Sequence, residues 1–543
     1  MHNAMATILP EVITIQMFTI KTAEFFSSRA CITPVVSATH NWGTAKSHSR
    51  TAISGQLLAA ALLATLLASG ISNPCRAQTP QRPNIVLLFN DDQGYGDVGC
   101  FGAQNFKTPN LDKLAADGTR FTSFYVAQPV CTASRASLMT GSYSNRVSLF
   151  GALNHESNVG IAASEWLLPE MLKATGYATA IYGKWHLGHR DQFLPTRNGF
   201  DDFLGLPYSN DNGPLHPVVK TIPSLPLIEN EKTVELDPDQ SQFTRRFTDR
   251  AIRFIETNKD RPFFLYMPHV MPHVPIFASE KFKGKSGAGP YGDVIEELDS
   301  GIGEVLATLE KHGLAQKTLV IFCTDNGPFL SYGNHAGSAG PLREGKLTTF
   351  EGGVRVPCMM RWPGHIPAGR TSGDLLSTLD FLPTFAKLVG GKLSDNKIDG
   401  EDRWPLITGQ PGAKPRENFY YYAGDELQAV RSGPWKLHLP HEYLTPVQPP
   451  GKNGKPANFD NLKPESMSVS GLRGIASRHG YVVKKIEQTL YNLDDDLGET
   501  QDVSAQHPEV VNRLLKLAEA ARTDLGDSLT KRQGSSVRPC GSL

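Results

Sequence analysis

Asn84-Ile85-Val86-Leu87-Leu88-Phe89, followed by Asn90-Asp91-Asp92-Gln93-Gly94, is the stretch on which the fold turns. A short apolar run without alternation is the pattern of a strand buried on both faces of a parallel sheet. The abrupt change to carboxylates, amide and glycine marks the strand's carboxyl end. The phrase recurs downstream, where Thr318-Leu319-Val320-Ile321-Phe322-Cys323 ends in Thr324-Asp325-Asn326-Gly327. Ala178-Thr179-Ala180-Ile181-Tyr182 leads into Gly183-Lys184-Trp185-His186-Leu187-Gly188. Pro262-Phe263-Phe264-Leu265-Tyr266-Met267 is followed by His269 and by Pro272-His273-Val274-Pro275.

Amphipathic stretches lie between these runs, at 111–116, 164–174 and 294–311, the last spaced by Ile295, Leu298, Ile302, Val305, Leu306 and Leu309. Alternating strands and helices predict an α/β fold, a mostly parallel sheet sandwiched by helices. Open sheets of this kind bind ligands at the carboxyl ends of their strands. The four strand ends would therefore converge on one edge. Asp91, Asp92, Asp325 and Asn326 are all oxygen donors, the ligand set of a hard cation such as calcium or magnesium. A single Asp-Gly or Asn-Gly pair is as well explained by an ordinary turn. Two of them at the ends of two buried strands favour the site. Lys184, His186, His273 and Lys346 add cationic and proton-transferring groups.

Cys131-Thr132-Ala133-Ser134-Arg135, continued by Ala136-Ser137-Leu138-Met139-Thr140-Gly141, places a thiol in the first turn of a helix that stops at Gly141. A helix N-terminus presents unpaired N–H groups and the positive end of a dipole, which suits anions. Arg135 lies one turn on, so its guanidinium returns to the same spot. A thiolate phosphatase of the Cys-x5-Arg kind is excluded at this cysteine, because the sixth residue on is Ser137. Taken alone, Cys-x-x-x-Arg is more often a buried thiol beside a solvated arginine.

These motifs, in this order, resemble the type I, formylglycine-dependent sulfatases of the arylsulfatase group, within the alkaline phosphatase superfamily. The resemblance runs from about Arg82 to about Val510 and is completed by Leu342-Arg343-Glu344-Gly345-Lys346, Glu351-Gly352-Gly353-Val354-Arg355, Asp399-Gly400 and Leu490-Tyr491-Asn492-Leu493. It implies an alkaline phosphatase-like (sulfatase) fold and the hydrolysis of aryl or carbohydrate sulfate esters to alcohol and sulfate. It implies that Cys131 is converted to formylglycine by a maturation enzyme. One oxygen of the hydrated aldehyde would take the sulfuryl group, and the other would re-form the aldehyde and expel sulfate. Asp91, Asp92, Asp325, Asn326 and the residue-131 oxygen would hold Ca2+, with Mg2+ as the alternative. Arg135 would hold the diol and its carboxylates in place. Lys184, His273 and Lys346 would grip the sulfate and the leaving oxygen, His186 would take the diol proton, and Ser209 would be a further substrate contact. Arg343 is either another site cation or a loop charge. Ala133 stands where the commoner signature has proline, so modification depends on the host's maturation enzyme. The runner-up is a phosphodiester or phosphonate monoester hydrolase of the same superfamily. From another class comes a non-catalytic protein that binds sulfated glycans.

Around this core, 54 basic and 54 acidic side chains cancel, so nothing points to nucleic acid or an acidic membrane surface. The Ala- and Leu-rich segment 57–67 is too short to span a bilayer and fits a signal-peptide core, with cleavage after Ala77, so export to the periplasm or medium is expected. Translation starting downstream, for instance at Met17, and a weak lipoprotein reading at Cys75 stay open. Seven cysteines define no disulfide framework. The expected organisation is a signal and upstream extension over 1–77, a catalytic domain over 82–412 closing with a helix at 376–388, a small α+β domain over 415–530, and a disordered tail over 531–543. The stretch 440–464, dense in Pro, Gly, Lys and Asn, reads as an exposed insertion. Loops 206–221 and 277–291 are where substrate selectivity would lie.

Overall fold

A computed structural model describes residues 82–216, 219, 221–447 and 471–543. The expected signal segment and most of the insertion lie outside the described residues. Four strands carry the site: β1 (Asn84–Asn90), β2 (Ala178–Lys184), β3 (Phe263–Pro268) and β4 (Thr318–Thr324). β1 lies between β4 and β3 and is parallel to both, and β2 runs parallel to β3. They are the centre of a ten-stranded sheet. Asp202–Leu206 continues it in parallel beyond β2, whereas Cys358–Arg361 closes against β4 antiparallel.

Every residue of these four strands is buried, which is why their sequences run apolar without alternation. The pleat sends successive side chains to opposite faces. Ile85, Leu87 and Phe89 therefore join one hydrophobic layer with Ile181, Phe264, Tyr266 and Ile321. Val86 and Leu88 join another with Tyr182, Leu265, Val320 and Phe322. Truncating a side chain such as Leu87 to alanine costs about 2–5 kcal/mol in so tight a setting.

Helix α1 (Cys131–Thr140) packs on the first layer through Ala136, Leu138 and Met139. Helices α2 (Phe243–Asn258) and α3 (Gly289–Lys311) cover the second. The spacing expected for 294–311 is thus met, with the helix starting five residues earlier. α1 ends at Gly141, whose φ of 62° needs no Cβ. The Gly141 carbonyl accepts from the Asp399 and Gly400 amides, which fixes the place of the Asp-Gly motif. The expected helix at 376–388 begins only at Phe381, because Leu376–Ser377 pairs as a short strand with Phe124–Tyr125.

The C-terminal part holds four antiparallel strands, β5 (Asn418–Ala423), β6 (Glu426–Ser432), β7 (Trp435–His438) and, across the chain, Thr489–Asn492. A hairpin pairs His441–Pro446 with Tyr481–Ile486, so 441–446, expected to open an exposed insertion, is a strand with His441, Tyr443 and Leu444 buried. Helix α4 (Gly471–His479) leads into that second strand, and helix α5 (Pro508–Leu525) packs on the small sheet. Phe419, Tyr421 and Leu514 sit in the same hydrophobic cluster as Phe124 and Tyr125, so the two parts share a core. The tail is not disordered: Gly541–Ser542 pairs with Val159–Gly160, and Arg538 donates to Glu165 at 2.7 Å. Its composition reads as solvated, but its anchors lie hundreds of residues upstream. Among the described residues no helix is long and apolar enough to cross a membrane.

Candidate active site

The four strand ends do converge. Asp91 and Asp92 leave β1, Asp325 and Asn326 leave β4, Lys184 ends β2, and His269 and His273 follow β3. β2 and β3 approach so closely at their ends that a Cβ on Gly183 would lie 1.9 Å from the Pro268 carbonyl oxygen. Only glycine fits there, which explains the residue before Lys184. Cys131 opens α1 over this edge, with no capping side chain at the helix N-terminus.

Around the Cys131 sulfur, Lys346 Nζ lies at 3.3 Å and Asp91 Oδ1 at 3.5 Å. Lys346 also donates to Asp92 Oδ2 at 2.9 Å. Lys184 donates to Asp91 and, at 3.1 Å, to Ser209 Oγ. Ser209 Oγ is 3.2 Å from His273 Nε2, which lies 3.6 Å from Asp92 Oδ2. Arg135 donates through Nε and Nη2 to Asp325 Oδ2 at 3.1 and 2.8 Å, and through Nη1 to the Lys184 carbonyl at 2.8 Å. All of these groups are buried. Every residue expected at the site lies in this constellation or on its wall.

Burial alone would neutralise such a cluster, and the balance among neighbours decides each group. For Asp91 burial is overcome by Lys184, then by His273 and Arg135, and the carboxyl stays well below its usual range. For Asp92 burial dominates over Lys346, with Asp91 and Asp325 adding to it, and the carboxyl rises to about 7. Burial, then Asp91, raise Asp325 as well. Burial followed by Asp91 pushes the Cys131 thiol up, so the bare thiol is a poor nucleophile. Burial, then Lys184 and Arg135, hold His186 neutral. His186 Nε2 lies 2.7 Å from the Leu153 carbonyl, an acceptor, so the proton is assigned to Nε2. Nδ1 is left as a buried lone pair without a partner.

The donor set suits a hard cation. One oxygen or sulfur or nitrogen from each of Asp91, Asp92, Cys131 and His273 lies within 4.8 Å of all the others. Asn326 donates to Asp92 Oδ1 at 2.7 Å, while its own Oδ1 is buried with no partner. An orphaned buried carbonyl costs about 1–3 kcal/mol, and a cation would satisfy it. Asp325 stands beside this cluster rather than in its tightest part, since its oxygens accept from the Asp92 amide at 3.1 Å and from Arg135.

The backbone is strained around the same point. Asp92, His186, Glu344 and Leu347 all take left-handed φ, of 62°, 65°, 58° and 72°. Such conformations cost about 1–2 kcal/mol each and persist where surroundings over-determine them.

A cavity of about 500 Å3 opens over Cys131, lined by His186, Ser209, His273 and Lys346 and, from the C-terminal part, by Glu426, Gln428, Glu442, Arg478 and His479. Of the two loops expected to set selectivity, 206–221 contributes Ser209, Asp211 and Asn212, and 277–291 contributes nothing. The residues from β6, the hairpin and α4 were missed in the sequence. Only their position after the catalytic pattern could have flagged them. Arg343 does not reach the site: it donates to the Glu499 carbonyl at 2.8 Å and stacks over Phe350.

Comparison with known proteins places this geometry. Residues 83–391 match the sulfatase family, and residues 414–542 match the C-terminal region of aryl-sulfatase. The N-acetylgalactosamine-6-sulfatase of Mus musculus is 42% identical over 397 residues, covering 70% of this chain and 75% of the relative. Arylsulfatase A of Homo sapiens is 42% identical over 380 residues, covering 66% and 75%. The structure of Ps i-CgsB in complex with k-i-k-neocarrahexaose superposes with a TM-score of 0.64 at 29% identity, covering 81% of this chain and 92% of that one.

Proposed function

Since this chain belongs to the sulfatase family of metal-dependent sulfuric ester hydrolases, we propose that it is an exported, calcium-dependent enzyme acting on carbohydrate or aryl sulfates, with formylglycine formed from Cys131. The observation that carries this is the placing of Cys131 at a helix N-terminus, ringed by Lys184, Lys346, Arg135 and three carboxylates, on the floor of an open cavity. A catalytic domain over 82–412, a C-terminal domain from 415 onward and the N-terminal export signal belong to the same proposal. Ps i-CgsB, a structural relative seen with an oligosaccharide, supports a carbohydrate substrate.

Each residue's part follows from its contacts. Asp91, Asp92, Asp325, Asn326 and residue 131 would hold the cation, which supplies positive charge for a sulfate oxygen and acidifies the nucleophile. The aldehyde hydrate would supply the oxygen nucleophile that a buried, protonated thiol does not. Lys346 and Lys184 flank the reacting position and would bind the sulfate, with Ser209 and His273 linked to Lys184 as the leaving-oxygen side. Arg135 orients Asp325 and the end of β2. His186, neutral with a free lone pair at Nδ1, is set to receive a proton when sulfate leaves.

The test is the mass of the peptide spanning Cys131, from protein made in its own host, with turnover of aryl sulfate against aryl phosphate diester. Formylglycine together with sulfate-ester preference is the expected result. An unmodified thiol in active protein overturns the nucleophile, and a diester preference overturns the substrate class.

A further inference from the structure

Behind the loop that carries Lys346 lies a second charged cluster, sealed from the cavity. Glu351, Lys436, Glu499 and His438 are wholly buried. An ammonium has three donors, and all three on Lys436 are used: Thr349 carbonyl at 2.8 Å, Glu351 Oε1 at 3.0 Å and Glu499 Oε1 at 2.9 Å. Glu499 Oε2 accepts from the Glu351 amide at 2.7 Å, and its backbone carbonyl takes Arg343. Thr349 Oγ1 adds a bond to Gln428 on β6 at 2.9 Å. The C-terminal part therefore grips the loop at 343, 349 and 351, on both sides of Lys346.

The loop needs gripping. Glu344 and Leu347, on either side of Lys346, both hold left-handed φ, and for a residue like leucine that is a genuine outlier. Two further bonds, Lys346 N to the Pro328 carbonyl and Leu347 N to the Pro129 carbonyl, tie it to the catalytic part. Left to itself the segment would relax, and Lys346 Nζ would leave Asp92 and the residue-131 nucleophile. A displacement of about 1 Å in a charge-stabilising group can cost about 100-fold in rate.

We propose that Lys436 and Glu499 are positioning residues for Lys346: the Glu351–Lys436–Glu499 triad holds the strained 343–351 loop so that this ammonium meets the sulfate. The proposal rests on the sulfatase reading of the site. Neither triad residue of the C-terminal part lines the cavity, so substrate contact does not account for them.

The test is a double-mutant cycle on the full chain, read by aryl sulfate turnover and by calorimetric affinity for inorganic sulfate. Glu499→Gln keeps the shape of the side chain and serves where Lys436→Met fails to fold. Each change is expected to lower kcat and sulfate affinity about tenfold or more. In a Lys346→Ala background the same change is expected to lower neither further, since no ammonium remains to be placed. Equal losses in both backgrounds would mean a general structural role and overturn the proposal, as would no loss in either. A wild-type protein that released sulfate from neither aryl nor carbohydrate sulfates would overturn the catalytic reading of the site instead, and the sulfate-affinity arm would still decide the positioning claim.

Discussion

Two buried clusters of mixed charge stand on either side of one short loop, and they are built to opposite ends. The cluster around Cys131 opens onto a cavity and keeps orphaned atoms, Asn326 Oδ1 and His186 Nδ1, for something yet to arrive. In the cluster around Lys436 every ammonium donor and carboxylate oxygen already has a partner, and only His438 Nδ1 is left without one: Glu351 takes Lys436, Tyr421, Tyr125 and Arg355, and Glu499 takes Lys436, His438 and the Glu351 amide. Charged groups whose partners are complete hold shape, whereas orphaned atoms beside an open cavity leave room for a ligand. Burial and charge count alone would not tell the two apart.

The largest effect expected is on the open side. Cys131→Ala should cost at least about 1,000-fold in turnover, and chelation of the cation should abolish it reversibly, both read with aryl sulfate. Neither should alter the fold by circular dichroism. A Cys131→Ala protein with near-wild-type activity would dissolve the distinction at its root.

Stability should show the reverse order. Lys436→Met leaves two carboxylates buried around a lost charge and should cost about 3–5 kcal/mol in urea unfolding. Lys184→Met also removes a buried ammonium, yet Asp91 keeps Arg135 Nη2 at 3.4 Å, so about 1–3 kcal/mol is expected. Equal costs would mean that the two clusters are held alike.

The last difference is a pH slope. Burial, opposed by Lys436 and helped by Glu351, raises Glu499 from 4.5 to about 7. The folded state therefore binds a proton more tightly than the unfolded one, and stability falls as pH rises from about 4.5 through 7. Glu499→Gln should flatten that part of the stability–pH curve measured by urea unfolding. An unchanged slope would show that Lys436 keeps Glu499 ionised throughout.

Much of the candidate site was legible in the sequence because its ionisable groups are written at strand ends. A run such as 84–89 declares a doubly buried strand, and the residue that follows must sit at the sheet edge. Asp91, Asp92, Asp325, Lys184 and His273 could all be placed in this way. Helical spacing brought Cys131 and Arg135 to one spot, but only the strand ends and the resemblance to the sulfatases gave them a role. Where the expectation failed, no local pattern was available: the tail at 531–543 reads as solvated until its partner strand at 159–160 is known.

By itself, then, the sequence determined the parallel sheet, the helix that begins at Cys131 and the set of side chains gathered at the sheet edge. These follow from burial of apolar runs and from the periods of strand and helix, which act over a few residues. Only the tertiary structure decided which C-terminal residues wall the cavity, that Arg343 turns away from it, and that Lys436 and Glu499 clasp the loop bearing Lys346. Those pairings join residues about 85 to 156 positions apart. A charge in a chain carries no mark of its partner. Packing alone brings the two together and removes the water that would otherwise have served either one.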